Sequence, residues 1–323
     1  MSDNNVDNIN ILRPIYLKDF IGQDLICNNL KIYINAAKSR DEPLEHVLFY
    51  GPPGLGKTTL AYIIANEMGT NIQICSAPAI EKLSDIAMIF TSLKPGDIVF
   101  IDEIHRLPKI VEESLYTAME DFKFSIVINK EYSPKIITID LPPFTLIGAT
   151  TKLGNLEPPF LSRFGIIEKL NFYNNNDLAN VIISNASKLG FKIDKLAALE
   201  IAKRSRGTPR ITNRILKRVR DFALFEKTNK INITHVKKGC SALKIDANGL
   251  NELDLDYIKS LICRFNGGPV SLNSLANSIG EEPTNLSETC EPYLIMKNYI
   301  NITNKGRVAT NKCLKEFSFL KKE

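Results

Sequence analysis

The chain has no tryptophan and only three histidines among its 323 residues. So few imidazoles argue against a histidine-built metal or hydrolase centre. Its six cysteines (Cys27, Cys75, Cys240, Cys263, Cys290, Cys313) form no CxxC pair and have no histidine at ligand spacing. That pattern predicts the reduced thiols of a cytoplasmic protein and excludes a disulfide framework or a zinc finger. No run of about 18 uncharged apolar residues occurs, so no membrane-spanning helix is expected. Residues 1–10 are polar and acidic, lack the apolar stretch of a signal peptide, and read as a disordered arm. Arginine is sparse, while lysine, asparagine and isoleucine are used freely, so a lysine outside a motif carries little weight. The net charge of +5 permits nucleic-acid binding without arguing for it. Lys305, Arg307, Lys312, Lys315, Lys321 and Lys322 nevertheless crowd the C-terminal end.

What is present is an ordinary globular balance, 44% hydrophobic and 24% charged, at a length that suggests two or three domains. From Phe20 to Tyr173, short apolar runs (Val47–Tyr50, Ile72–Cys75, Ile98–Ile101, Phe144–Ile147) alternate with amphipathic stretches. This is the pattern of a parallel sheet flanked by helices. Two β-type segments around Glu131–Pro134 interrupt it and predict an inserted hairpin at about 124–140. Between Asn174 and Ala247, apolar residues recur at three- and four-residue spacing, which predicts a small helical domain. Asp177 and Thr212 are expected N-caps there, with Gly190 and Gly207 as stops. The last segment reads as three helices and a hairpin, the order of a winged helix. The expected domains are therefore 1–174, 175–247 and 248–323.

Four motifs carry chemistry. Gly51-Pro52-Pro53-Gly54-Leu55-Gly56-Lys57-Thr58 fits a P-loop between an apolar strand and a helix. Its glycines let backbone N–H groups wrap phosphates at a helix N-terminus. Lys57 supplies a charge to the β- and γ-phosphates, and Thr58 a hydroxyl for Mg²⁺, with Thr59 beside it. Ile98–Ile101 leads into Asp102 and Glu103, a metal-side carboxylate and a general base for the attacking water. Phe144–Ile147 leads into Gly148-Ala149-Thr150-Thr151, where a strand-end hydroxyl, with Thr151 the candidate, senses the γ-phosphate. Arg163 and Arg210 are placed to stabilise phosphoryl charge, Arg163 from a subunit edge.

Taken together, these blocks resemble one family. Gly51–Leu60, Asp102-Glu103-Ile104-His105-Arg106-Leu107, Met119-Glu120-Asp121-Phe122 and Leu141–Thr151 look like RuvB, the bacterial AAA+ motors of Holliday-junction branch migration. Gly267-Gly268-Pro269-Val270, Ile279-Gly280-Glu281-Glu282 and Glu291–Ile295 extend the likeness into the C-terminal region. The resemblance implies an α/β P-loop AAA+ core, a small all-α lid and a C-terminal winged helix, assembled as a hexameric ring around duplex DNA. It implies ATP and Mg²⁺ as cofactors. Arg163 becomes an arginine finger for a neighbour's ATP, and Arg210 the lid arginine on the bound nucleotide. Leu12, Arg13 and Tyr173 fall around base and ribose, and Glu120, Asp121 and Phe122 join the nucleotide set. The implied partners are four-way junction DNA, a RuvA-type protein docked on the inserted hairpin, and a RuvC-type resolvase.

The chain departs from the family pattern at Lys152, at Leu161-Ser162-Arg163, at Pro283 and in the wing, Ile302-Thr303-Asn304-Lys305-Gly306-Arg307. Only Arg307, with Lys305 a partial substitute, matches a DNA-contacting position of the wing. Fewer phosphate contacts predict weaker DNA binding by a single subunit, offset by avidity in a ring. Two other readings stay open on the residues alone: a clamp-loader-type AAA+ switch that remodels protein, and an ATP-responsive winged-helix regulator.

Overall fold

The structure, a computed structural model, describes residues 11–128 and 135–322. The expected N-terminal arm and the tip of the inserted hairpin lie outside these residues. The chain divides into two compact units, Met1–Leu189 with Gly207–Arg210, and Gly190–Arg206 with Ile211–Glu323. The helix Asn175–Lys188 thus belongs with the first unit. No described helix is long and apolar enough to cross a membrane.

The first unit is built on strands β1 (Val47–Tyr50), β2 (Ile72–Ser76), β3 (Ile98–Asp102), β6 (Thr145–Thr150) and β7 (Ile166–Lys169). They form one sheet in the order β2-β3-β6-β1-β7, and every pairing is parallel. Central β1, β3 and β6 are buried along nearly their whole length because both sheet faces are covered. One face buries Val99, Ile101 and Leu146 against Ile86, Phe90, Leu115 and Phe160. The edge strand β7 escapes a sequence reading because Ile166-Ile167-Glu168-Lys169 alternates too little to register as a strand. β4 (Lys123–Ile128) and β5 (Lys135–Asp140) pair only with each other, antiparallel from Lys123↔Asp140 to Ile128↔Lys135. The inserted hairpin is therefore real and stands apart from the main sheet, rooted by fully buried Phe124 against Phe90.

At the edge where the parallel strands begin, buried His46 fixes three segments. Its Nδ1 accepts from the N–H of Leu146 at 2.9 Å, so its Nε2–H donates to the carbonyl of Met119 at 3.0 Å. That tautomer leaves no place for a second ring proton, and burial holds the imidazole pKa below its usual 6.5.

In the helical region after the parallel sheet two expected caps move. Asn174, not Asp177, caps the helix Asn175–Lys188, its side chain accepting from the Asp177 N–H at 2.8 Å. The helix Pro209–Phe225 starts three residues before Thr212, which is buried inside it. Proline lacks the N–H that a first-turn residue leaves unpaired, so it suits that start. Gly190 and Gly207 both take positive φ, at 80° and 68°, as helix stops do. β8 (Lys192–Ile193) and β9 (Lys230–Ile231) add one short parallel pair to this otherwise helical part.

The winged helix follows the expected order. Helices Glu252–Lys259 and Leu272–Ile279 and the segment Pro283–Met296 precede β10 (Ile300–Thr303) and β11 (Gly306–Ala309), an antiparallel hairpin. Ser271 caps the second helix through Ser274 N–H, and Gly280 ends it at φ 73°. Asp254 is fully buried, and burial pushes its carboxyl pKa up. It is answered by Arg206, which bonds it, donates to the carbonyl of Gly249 at 3.0 Å and lies over the Tyr293 ring.

Arg307 meets a buried partner within the winged helix. Its guanidinium faces inward and grips Glu291 with two bonds, at 2.8 and 3.2 Å. Glu291 is only 2% exposed and also accepts from the Tyr257 hydroxyl at 2.9 Å. A carboxylate buried this deeply needs a cationic partner, and removing it would leave an uncompensated charge. Arg307 thus packs within the wing while staying partly open, and Lys305 is exposed at its turn.

Two outcomes follow from these buried charges. Thermal stability stays level above about pH 6.5 and falls as pH drops from there through the lowered pKa of His46, because the unfolded chain binds that proton first. Melting curves of wild type and His46→Gln, which keeps one donor and one acceptor, check this; the slope between pH 6.5 and 5 shrinks in the variant. Arg307→Ala strands Glu291 and costs about 3–5 kcal/mol in denaturant unfolding. Lys305→Ala, by contrast, leaves the same unfolding midpoint unchanged, since its side chain is exposed at the turn.

Candidate functional site

The phosphate loop leaves β1 after Tyr50, at the edge of the sheet where the parallel strands end. Open α/β sheets place ligands there, where strand-to-helix turns gather. Gly51, Gly54 and Gly56 take φ of 135°, 80° and 109°. A Cβ on Gly51 would sit 2.4 Å from the carbonyl oxygen of Leu170, and one on Gly54 2.9 Å from the Cβ of Arg210. Backbone conformation and space therefore both demand glycine. The helix Lys57–Met68 then begins with its first amides pointing out of the helix towards the loop.

Lys57 is buried, its ammonium donating to the carbonyls of Gly51 at 2.7 Å and Pro52 at 3.0 Å. Burial lowers its pKa to about 8; the charges of Asp102 and Glu103 pull the other way, and the cation of Arg210 reinforces the drop. The two loop carbonyls occupy the positions from which the ammonium would turn to a phosphate. Arg210 donates its N–H to the carbonyl of Gly54 at 3.3 Å, which ties Gly207–Arg210 to the phosphate loop within the first unit.

Asp102 ends β3, its Oδ1 accepting from the N–H of Glu103 at 3.0 Å. Glu103 then takes a left-handed backbone, φ 53°, a conformation that is uncommon outside glycine and clusters at working sites. The turn is anchored by fully buried Ile104, whose Cδ1 lies 2.9 Å from where a Cβ on Gly148 would stand. Thr150, at the end of β6, is fully buried, whereas Thr151 stands just past the strand and is partly open. Thr58 and Thr59 are both half-buried on the first turn of the helix.

A second group of expected residues gathers beside the loop. Tyr173 donates its hydroxyl to the carbonyl of Leu55 at 3.3 Å, and its ring lies 2.6 Å from a Cβ imagined on Gly22. Arg13 lies over the Tyr62 ring, 4.6 Å to its centroid, and Leu12 is buried. Sequence reasoning passed over Phe20, Gly22 and Gln23, which frame this corner. The Phe20 ring lies 3.1 Å from the Cβ that Gly56 lacks, and Gln23 exchanges two bonds with the backbone of Asn171. The only signal in the sequence was a glycine just ahead of the helix Asp24–Arg40, and Gly22 here takes φ 79°.

The structure does not bring Arg163, Glu120 or Asp121 to this loop. Ile166 of β7 pairs in parallel with Val47 of β1, so Arg163 lies at the edge where β1 begins. The phosphate loop follows Tyr50, about 10 Å farther along the strand. Arg163 pairs with Glu120 at 3.1 Å, sits over the Tyr116 ring and bonds the carbonyl of Pro159. Its Nε is buried and has no hydrogen-bond partner among the described residues. Phe122 turns into the core, its ring edge-on to Phe144.

Comparison with known proteins identifies the family. The family described as the Holliday junction DNA helicase RuvB P-loop domain matches residues 12–170. The RuvB AAA lid domain matches 173–246, and the RuvB C-terminal winged helix domain 247–318. The Holliday junction branch migration complex subunit RuvB of Staphylococcus haemolyticus is 52% identical over 299 residues, 93% of this chain and 90% of that protein. Its counterpart in Staphylococcus aureus is 50% identical over 307 residues, 95% and 92% of the two chains. The solved structure of the Thermotoga maritima RuvB Holliday junction branch migration motor superposes with a TM-score of 0.86 at 48% identity, covering 95% of this chain and 98% of that one. With its P-loop, lid and winged-helix regions all matched, the chain belongs to the RuvB family of nucleotide-binding AAA+ ATPases.

Proposed function

We propose that the chain is the ATP-driven motor of Holliday-junction branch migration, working as a ring of identical subunits on duplex DNA in the cytoplasm. The observation that carries this reading is the split of the hydrolytic groups between two edges of one sheet. Lys57, Asp102, Glu103 and Arg210 converge where the strands end, while Arg163 is presented where they begin. An arginine held there serves a nucleotide only on a neighbouring copy, and Glu120 and Asp121 line the same face.

In this mechanism the backbone of Gly54–Thr58 and the Lys57 ammonium hold the triphosphate, with Thr59 beside them, and Leu12, Arg13 and Tyr173 enclose the base and ribose. Glu103 takes a proton from water as it attacks the γ-phosphorus. The bond to the β,γ-bridging oxygen breaks, leaving ADP and phosphate. Thr151 holds the water and the γ-phosphate, and Arg210 with a neighbour's Arg163 offsets charge on the transferring group. The residues suit Mg²⁺: Thr58 and Asp102 offer hard oxygen donors, and no cluster of three His, Cys, Asp or Glu among the described residues competes for it. When bound, the ion neutralises phosphate charge. Residues 175–247 act as the lid that responds to nucleotide, and 248–323 as the DNA-gripping winged helix. A RuvA-type protein docks on the β4–β5 hairpin, and a RuvC-type resolvase follows on the same junction.

The test is separation of a synthetic four-way junction with ATP, Mg²⁺ and the junction-binding partner. Wild type separates it only with ATP, and Glu103→Gln fails. Arg163→Ala lowers hydrolysis about a thousandfold. Lys57→Ala and Arg163→Ala are each inactive alone, yet mixing them restores part of the hydrolysis, because some interfaces join an intact Lys57 to an intact Arg163. Hydrolysis without junction movement in the presence of partner points instead to a protein-remodelling switch. Strong sequence preference among duplexes points to a regulator.

A further inference from the structure

One buried histidine joins parts of the site that the hydrolytic scheme leaves separate. His105 follows Glu103 in the short 3-10 turn Ile104–Arg106, and its side chain is 6% exposed. Its Nδ1 lies 2.9 Å from the hydroxyl of Thr150, and its Nε2 3.5 Å from Oε2 of Glu103. The same Thr150 oxygen accepts the Lys152 N–H at 3.0 Å, and the Thr150 carbonyl accepts the Gly51 N–H at 3.2 Å. A continuous chain thus runs from the first residue of the phosphate loop through Thr150 and His105 to the Glu103 carboxylate.

The chemistry of these groups fixes the direction of the bonds. An ionised carboxylate only accepts, so the ring nitrogen facing Glu103 is the one that carries hydrogen. Nδ1 is then the acceptor and takes the bond from the Thr150 hydroxyl, whose oxygen still has a lone pair for the Lys152 N–H. Each group in the relay has a role it is able to fill. The 3.5 Å separation is longer than a finished hydrogen bond, and catalytic contacts of this kind shorten when the substrate is bound.

We propose that His105 is the positioning residue of the general base: it orients the Glu103 carboxylate towards the attacking water, and Thr150 links that orientation to the phosphate loop. The proposal rests on Glu103 being the base. The left-handed backbone of Glu103 aims the side chain out of the strand, but its free torsions need a partner to choose one rotamer. Nucleotide seated in the loop shifts Gly51 and Thr150, and the histidine passes that shift to the base. His105 touches neither water nor phosphate in this arrangement, so its loss acts on turnover and not on binding.

The test is steady-state ATP hydrolysis by the full chain with His105→Ala, His105→Gln, Thr150→Val and the His105→Ala/Thr150→Val double variant. Glu103→Gln is the control, and nucleotide affinity and melting temperature are measured for each. We expect His105→Ala to lower kcat about 10- to 100-fold, the usual loss on removing a group that orients a reacting one, with KM and nucleotide affinity within about twofold. His105→Gln, which keeps an acceptor and a donor at matching separation, recovers most of the rate. Thr150→Val reproduces the loss, and the double variant is no slower than His105→Ala alone. If His105→Ala does not fold, His105→Gln and Thr150→Val carry the comparison. Unchanged kcat in His105→Ala, a loss confined to KM, or additive losses in the double variant overturn the proposal while leaving Glu103 as base. Persistence of hydrolysis in Glu103→Gln removes the base reading itself, and this proposal with it.

Discussion

The parallel, in-register pairing of β1 with β6 on one side and β7 on the other is the constraint from which the rest of the site follows. Val47 faces Ile147 and Ile166, and Tyr50 faces Thr150 and Lys169. Parallel strands all end at one edge, so the phosphate loop, Asp102, Thr150 and Thr151 arrive together without long-range guidance. The same register sends whatever precedes β7 to the far edge. Arg163 and the end of the helix Lys109–Glu120 are therefore displayed away from the loop, and the buried His46 locks that edge through Leu146 and Met119.

Charge placed in dry surroundings recurs through both units, each time with a different answer. Lys57 donates to two carbonyls and loses part of its basicity to burial. Asp254 and Glu291 meet arginines, and these pairs hold the winged helix and its approach segment in one arrangement. Breaking such a pair is costly while the pair itself adds little to stability, so its benefit is a single defined geometry. Arg206 immediately precedes Gly207–Arg210, the strip that packs on the phosphate loop.

The chain's departures from the RuvB pattern at the wing take on a different meaning once Arg307 is seen on Glu291. Arg307 both stands at the position that matches the family and answers a buried carboxylate of its own domain. The sequence could not show this pairing, because a strand position records the residue type without the face to which it points. β11 alternates like any strand, and Arg307 falls on the inward side, where a buried carboxylate was waiting.

What the sequence determined alone is whatever local chemistry dictates. The glycine spacing of the phosphate loop, the apolar runs of β1, β3 and β6, the carboxylates after β3, and the hairpin and helical spacing of the later domains were all legible. Each depends on residues a few positions apart and on backbone preference. Only the tertiary structure decided which partner each functional group meets: Thr150 on His105, Arg163 on Glu120, Arg307 on Glu291, Tyr173 against Gly22. Those pairs lie on separate elements of the fold, brought together by sheet register and core packing. Their free energies depend on burial and distance, which no local pattern records.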